Sequence, residues 1–290
     1  MDYLINRICS SFLSGLIISQ TGSLIQLGTR NILASPSTLG FDGLTVLWLL
    51  ISHSILLAIN LNFSSYHLLL LGLPLFLILG LFFARKFKGS EKFERIILLG
   101  LTFNLLVGAI FSLWQFFFMA YNIPFPVELW FGHFRFSGSS ETWILLVVEI
   151  LILMSLKFGW HELMVFSLGY DIGQNFQLNE KKLFSILFVI VSIGTFVVIC
   201  LFGSFSFLGL IFPIVSRKLW FKKFDFKGEV LWGAILNGLI LSFIDFLCYL
   251  LPIWGAELPV GLIVTVIGAV SLILLLWKSQ SPESLAKSTK

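Results

Sequence analysis

The 290-residue sequence predicts an all-α, polytopic membrane protein with about nine transmembrane helices. Its mean hydropathy is +0.99, with 58% hydrophobic and only 12% charged residues, which excludes an ordinary soluble domain. Its apolar runs approach the roughly 20 residues that a helix needs to cross a hydrocarbon core. Its basic residues gather in alternate links between those runs, the signature of a chain threaded back and forth across a bilayer.

The first run, near 8–28, lacks the basic leader and small-residue cleavage site of a signal peptide. Gly15, Ser19 and Ser23 recur in it every four residues, a stripe suited to close helix contact. Runs near 39–59, 66–84 and 95–118 follow. The fourth sets Asn104, Gly108 and Ser112 on one face, with Gln115 three residues on. Such a stripe either packs against other helices or lines a water-accessible path. The fifth run, near 141–157, holds Glu149 near its middle. The sixth and seventh, near 183–203 and 205–220, are separated only by Gly203-Ser-Phe-Ser206, which must turn the chain. The eighth, near 228–250, aligns Gly238, Ser242 and Asp245 on one stripe, and the ninth covers 259–277. A carboxylate inside a span faces protein or water rather than lipid. Glu149 and Asp245 therefore read as helix-packing groups bonded to hydroxyls or amides, or alternatively as proton-handling groups.

With the N-terminus placed outside, every one of the 19 lysines and arginines except Arg7 and Arg135 falls on the cytoplasmic side. The links at 158–182 and the tail at 278–290 are then cytoplasmic, and the protein resides in the cytoplasmic membrane. Four spans precede the fifth and four follow it, so the two blocks enter the membrane in opposite senses, as in inverted-repeat transporters.

Cys9, Cys200 and Cys248 lie in apolar runs without Cys-x-x-Cys spacing and read as packing residues. His53, His67, His133 and His161 form no His-Glu-x-x-His pattern, which leaves no metal site and no hydrolase signature. No Gly-x-x-x-x-Gly-Lys-[Ser/Thr] occurs, so the chain binds no ATP through a P-loop. The small net charge of +4 gives no ground for a nucleic-acid partner.

Several segments remain. Gly209-Leu-Ile-Phe-Pro213-Ile-Val-Ser-Arg217 is followed by Glu257-Leu-Pro259-Val-Gly261 and by Thr265-Val-Ile-Gly268-Ala269. Earlier in the chain stands Gly22-x-x-x-Gln26-x-x-x-Arg30-Asn31, with Pro36 and Leu39-Gly40 after it. In this order they resemble the FecCD family, the permease subunits of ABC importers for iron–siderophore complexes, haem and cobalamin. The resemblance runs from about residue 8 to 277 and implies the ten-helix type II importer fold, here without its first helix. It implies no cofactor on this chain, with ATP used by two separate cytoplasmic ATPase subunits. A second permease subunit, identical or related, and an extracytoplasmic substrate-binding protein complete the assembly.

The resemblance also assigns roles. Leu168, Gly169, Tyr170, Asp171 and Ile172 fall in the segment similar to the family's ATPase-coupling helix. Arg135 and Arg7 are the outward cations available to dock the binding protein. Asn104, Gly108, Ser112, Asp245, Gly261 and Gly268 fall on helices that border the translocation pathway or pack beside it. Relatives generally carry an arginine four residues after the aspartate matching Asp245; here Tyr249 stands there, which removes its local partner. A different reading keeps Glu149 and Asp245 as the coupling sites of an ion- or proton-coupled secondary transporter.

Overall fold

A computed structural model describes residues 2–58, 65–86, 93–122, 130–168, 179–219, 226–252 and 257–279. Among them are nine helical rods and no strand. They are α1 (Asp2–Thr29), α2 (Phe41–Ala58), α3 (Ser65–Lys86), α4 (Phe93–Ala120) and α5 (Ser139–Ser167). Then come α6 (Glu180–Phe202), α7 (Leu208–Leu219), α8 (Phe226–Leu250) and α9 (Val260–Ser279). Six of them are long and apolar enough to cross a membrane: α1, α3, α4, α5, α6 and α8.

Helices α1 and α6 are the most enclosed of these six. Small residues on α1 allow this, because lipid offers no hydrophobic drive and helices associate through close packing. The register against α8 is antiparallel and regular: Gly15 meets Gly238, Ser11 Oγ donates to Ser242 Oγ at 3.1 Å, and Arg7 meets Asp245. Helix α3 approaches α6 through Gly72 and Gly80, which lie against Phe196 and the Phe188 carbonyl. Phe76 stacks on Phe196 at 4.2 Å between the same two helices.

The largest departure from the hydropathy reading is the expected span at 205–220. Helix α7 has 12 residues, about 18 Å at 1.5 Å per residue, too short for a ~30 Å core. Helix α6 ends at Gly203, whose φ of 84° only glycine adopts without strain. Residues 203–207 then double back, fixed by Gly132 N–H to the Ser204 carbonyl (2.8 Å) and His133 N–H to the Phe202 carbonyl (2.9 Å). The link from Arg30 to Gly40 behaves in the same way. Ala34, Ser35, Pro36 and Leu39 are buried, and Pro36 reaches Gly209 at the start of α7. A long enclosed helix followed by a re-entrant link thus occurs twice, once in each half of the chain.

Two further boundaries differ. Helix α5 does not stop near 157 but continues to Ser167, shortening the expected 158–182 link. No proline interrupts 158–167, and Gly159 is held against the Ile186 side chain of α6. Helix α1 starts at Asp2 rather than near residue 8, because its first two turns are ordered by polar contacts that hydropathy does not register. Cys200 and Cys248 are buried as expected, whereas Cys9 is exposed.

Candidate functional site

Polar groups are concentrated at three levels along α1. At its start, Arg7 is 2% exposed and holds two carboxylates. Its Nε and Nη2 donate to the two oxygens of Asp245 at 2.9 Å each, and Nη1 donates to Glu257 Oε2 at 2.8 Å. The guanidinium also lies 5.1 Å from the centre of the Tyr249 ring. An arginine inside a membrane helix is costly unless paired, and this one is paired twice. One expectation changes here: Arg7 is no free outward cation for a docking partner. Asp245 has no arginine one turn along its own helix, as expected, but Arg7 of α1 supplies one from across the helix contact. Arg135 is exposed, and its carbonyl accepts from the Tyr3 hydroxyl at 2.8 Å.

Midway, α1 contributes Gln20, whose amide donates to Glu149 Oε1 at 2.8 Å. Ser19 Oγ, the Phe212 carbonyl and Ser216 Oγ all lie within 3.0 Å of the Asn237 amide nitrogen. One side chain of α8 therefore ties α1 to α7. Asn237 escaped the sequence reading, although it stands one residue before the Gly238 stripe.

Toward the end of α1 the motif residues meet. Gly22 is pressed on Gly209: a Cβ at position 22 would fall 2.0 Å from the Gly209 carbonyl oxygen. The four-residue spacing of Gly209 and Pro213 takes from that oxygen its regular helical donor. In an α-helix it would accept from the N–H of residue 213, and proline has none. Gln26 bridges both helices, donating through Nε2 to the Leu210 carbonyl at 3.0 Å and accepting from Arg217 Nη2. Arg30, in left-handed conformation with φ 51°, spreads over the Phe166 ring at 4.8 Å. Asn31 Oδ1 accepts from the Leu33 N–H at 2.9 Å. Arg7 and Gln26 are 19 residues apart on one helix, about 28 Å at 1.5 Å per residue, so the Glu257 and Arg217 clusters occupy separate levels.

The re-entrant links meet α2 and α4 around a cavity of about 430 Å³. Asp42, Asn104, Trp130, Ser204 and Ser206 are in its wall. Asn104 Oδ1 accepts from the Gly43 N–H at 3.1 Å and its Nδ2 donates to the Ser37 carbonyl. Trp130 covers Gly108 and packs on Phe111 at 4.6 Å. The expected Asn104–Gly108–Ser112 stripe is therefore split. Its first two members pack, whereas Ser112 is exposed and, among the described residues, bonds its own helix at the Gly108 carbonyl. The carboxylate of Asp42, which sequence reasoning passed over, receives a 3.4 Å contact from Ser204 Oγ and no other hydrogen bond among the described residues. Replacing Asn104 by leucine is expected to cost about 1–3 kcal/mol by orphaning the Gly43 and Ser37 groups, read as a lower unfolding temperature of the detergent-purified protein.

Gly261 and Gly268 serve close approach. The Gly261 N–H donates to the Gly132 carbonyl at 2.8 Å, and a Cβ at 268 would lie 2.6 Å from Ile211 Cδ1. Pro259 precedes α9 and its carbonyl accepts from the Leu262 N–H at 3.0 Å. Leu168, which follows α5, is exposed. Gly169, Tyr170, Asp171 and Ile172 lie outside the described residues.

The fold matches a solved structure reported as an inward-facing conformation of a metal-chelate type ABC transporter. The TM-score is 0.75 at 20% identity, over 94% of this chain and 87% of that one. In sequence the chain is 25% identical over 287 residues to the petrobactin import system permease protein FatD of Bacillus anthracis, covering 96% of this chain and 81% of FatD. It is 24% identical over 279 residues to the vitamin B12 import system permease protein BtuC of Vibrio vulnificus, covering 96% and 82%. The profile of the FecCD transport family matches residues 1–278. The chain belongs to the FecCD transport family.

Proposed function

We propose that this chain is the membrane-spanning subunit of an ATP-driven importer that moves ferric chelates inward across the cytoplasmic membrane. The observation that carries the reading is the meeting of Gln26, Gly209, Pro213 and Arg217, residues far apart in sequence that lock one half-length helix against the central helix. Relatives are named for the transport of ferric enterobactin, Fe(3+)-citrate and iron(3+)-hydroxamate, and one for vitamin B12. The preponderance of iron chelates among these names supports them as the cargo class.

In this reading two permease chains face each other, and a binding protein delivers the chelate at the end where Arg7, Arg135 and Glu257 lie. Two ATPase subunits act at the opposite end, where Arg30, Lys182, Arg217 and Lys218 gather. The chain forms no covalent bond with cargo; its work is to open and close a passage. The exposed end of α5 at Leu168 leads directly into the coupling segment.

Uptake of radio-iron as ferric citrate, a ferric hydroxamate and a ferric catecholate, with and without this chain and its ATPase, tests the proposal. ATP-dependent uptake of at least one chelate that requires this chain is expected; uptake of none refutes it. Replacing Gly169 or Asp171 should abolish uptake while the protein remains in the membrane, as judged by immunoblot of membrane fractions. Normal uptake by those variants would remove the coupling role from the segment.

A further inference from the structure

We infer that Arg217 is a two-position switch between Gln26 on α1 and Glu229 on α8, and that its exchange of partners moves α7. The inference rests on the importer reading above and names the positioning residues that carry motion between its two ends.

In this structure Arg217 bonds Gln26 through Nη2. Its Nε stands 3.7 Å from Glu229 Oε2, too far for a hydrogen bond. Neither that Nε nor that Oε2 has a hydrogen-bond partner among the described residues. Glu229 is 2% exposed, and a buried carboxylate beside an unclosed guanidinium is a costly arrangement. An approach of Arg217 toward Glu229 relieves it, and in the second arrangement of the inferred switch this approach replaces the Gln26 bond. Two alternative partners for one side chain are what a bistable element requires.

Room for the exchange is present. A cavity of about 350 Å³ opens beside the pair, walled by Ser23, Gln26, Arg30, Phe166, Arg217 and Glu229. The backbone also has slack, because Glu229 begins a π-helical turn that ends at Gly233. A π turn carries one residue more than an α turn, and such turns recur at functional sites. Its relaxation to α geometry shifts the register by one residue, about 1.5 Å along the axis and 100° around it, and re-aims Glu229. Gly233 lies against Ser216 of α7, with 2.7 Å between a Cβ there and Ser216 Oγ. Movement in the π turn therefore reaches α7 directly.

Both ends of the device touch elements with a stated role. The last turn of α5 enters the cavity wall at Phe166, clasped by Arg30 at 4.8 Å. Helix α7 starts beside Phe207 and Ser206, which are in the wall of the other cavity, near Asp42 and Asn104. Gly209 and Pro213 leave α7 without its 213-to-209 hydrogen bond, so the helix can bend at the level of Gly22 without breaking that bond. A pull on the end of α5 is in this way converted into displacement of a short rod beside the passage.

The test uses the complete assembly, with its ATPase and binding protein, in liposomes, and radio-iron supplied as a ferric hydroxamate, ferric citrate or a ferric catecholate, whichever the wild type imports. Glu229→Gln is expected to lower ATP-driven uptake and the binding-protein stimulation of ATP hydrolysis by about tenfold, with basal hydrolysis and membrane abundance unchanged. The charge-exchanged pair R217E with E229R should recover most of what each single change loses, since Gln26 can donate to a carboxylate as readily as it accepts from a guanidinium. Spin labels at the exposed positions 218 and 227 (Lys218→Cys and Lys227→Cys with Cys9→Ser) should report different separations with and without a non-hydrolysable ATP analogue. Uptake by Glu229→Gln within about twofold of wild type, an exchanged pair no better than the single variants, or one separation in both nucleotide states overturns the switch. Failure of the wild-type assembly to import any of the three chelates overturns instead the importer reading, and the label separations still report on Arg217.

Discussion

Arg7→Met is expected to be among the most damaging single substitutions in this chain. It leaves Asp245, 1% exposed, and the partly exposed Glu257 as like charges without a cation between them. Removing one member of a buried ion pair typically costs about 3–5 kcal/mol, with the Asp245 contact supplying most of it and the more exposed Glu257 contact less. Thermal unfolding in detergent and the amount of protein in the membrane both read the loss. The double variant Arg7→Met with Asp245→Asn should regain a large part of it, because the deeper uncompensated charge is then gone. A stable Arg7→Met protein would falsify the view that this triad clamps α1, α8 and the approach to α9.

Gly22→Ala should be comparably severe, for a steric reason. The added methyl would stand 2.0 Å from a backbone oxygen of Gly209, and neither helix can yield by turning a side chain. Overpacking of this kind costs about 1–3 kcal/mol or more, and separation of α1 from α7 also pulls Gln26 from the Leu210 carbonyl. Gly28→Ala on the same helix provides the contrast, since the three atoms nearest its methyl all belong to the flexible Leu187 side chain, with Cδ1 at 2.6 Å and Cδ2 at 3.3 Å. Comparing the unfolding temperatures of the two variants checks the claim; equal losses would assign the effect to helix α1 in general rather than to the Gly22–Gly209 contact.

The placement of these residues explains which parts of the structure were legible beforehand. Hydropathy and charge located the rods because a bilayer imposes a length and a sign on each one. The turn expected at Gly203–Ser206 is present, but the same signal failed for the span expected at 205–220. Phe205 and Phe207 make a re-entrant link as apolar as a span, so the run of hydrophobic residues did not reveal that α7 crosses only part of the way. At the far end of α5, Trp160-His161-Glu162 read as a link because polarity rises there, although nothing in those residues breaks a helix.

The Arg7–Asp245 pair illustrates a different limit. Periodicity placed Asp245 on a stripe with Gly238 and Ser242, and the structure shows that stripe facing α1. Which residue of α1 would answer it depends on the antiparallel register of two helices more than two hundred residues apart. Asn237 and Asp42 were missed for the same reason. A single asparagine or aspartate has no period, and its importance comes entirely from what another helix brings against it.

A half-length helix has an electrical consequence. The helix covers about 18 Å of a ~30 Å core, and the rest of that level is closed by the groups around Pro36, Gly209 and Phe207. Wherever water enters such a level, a membrane voltage drops over a shorter path than it does along a full-length helix. A permease built this way must keep that short level shut between cycles, or it dissipates the membrane potential.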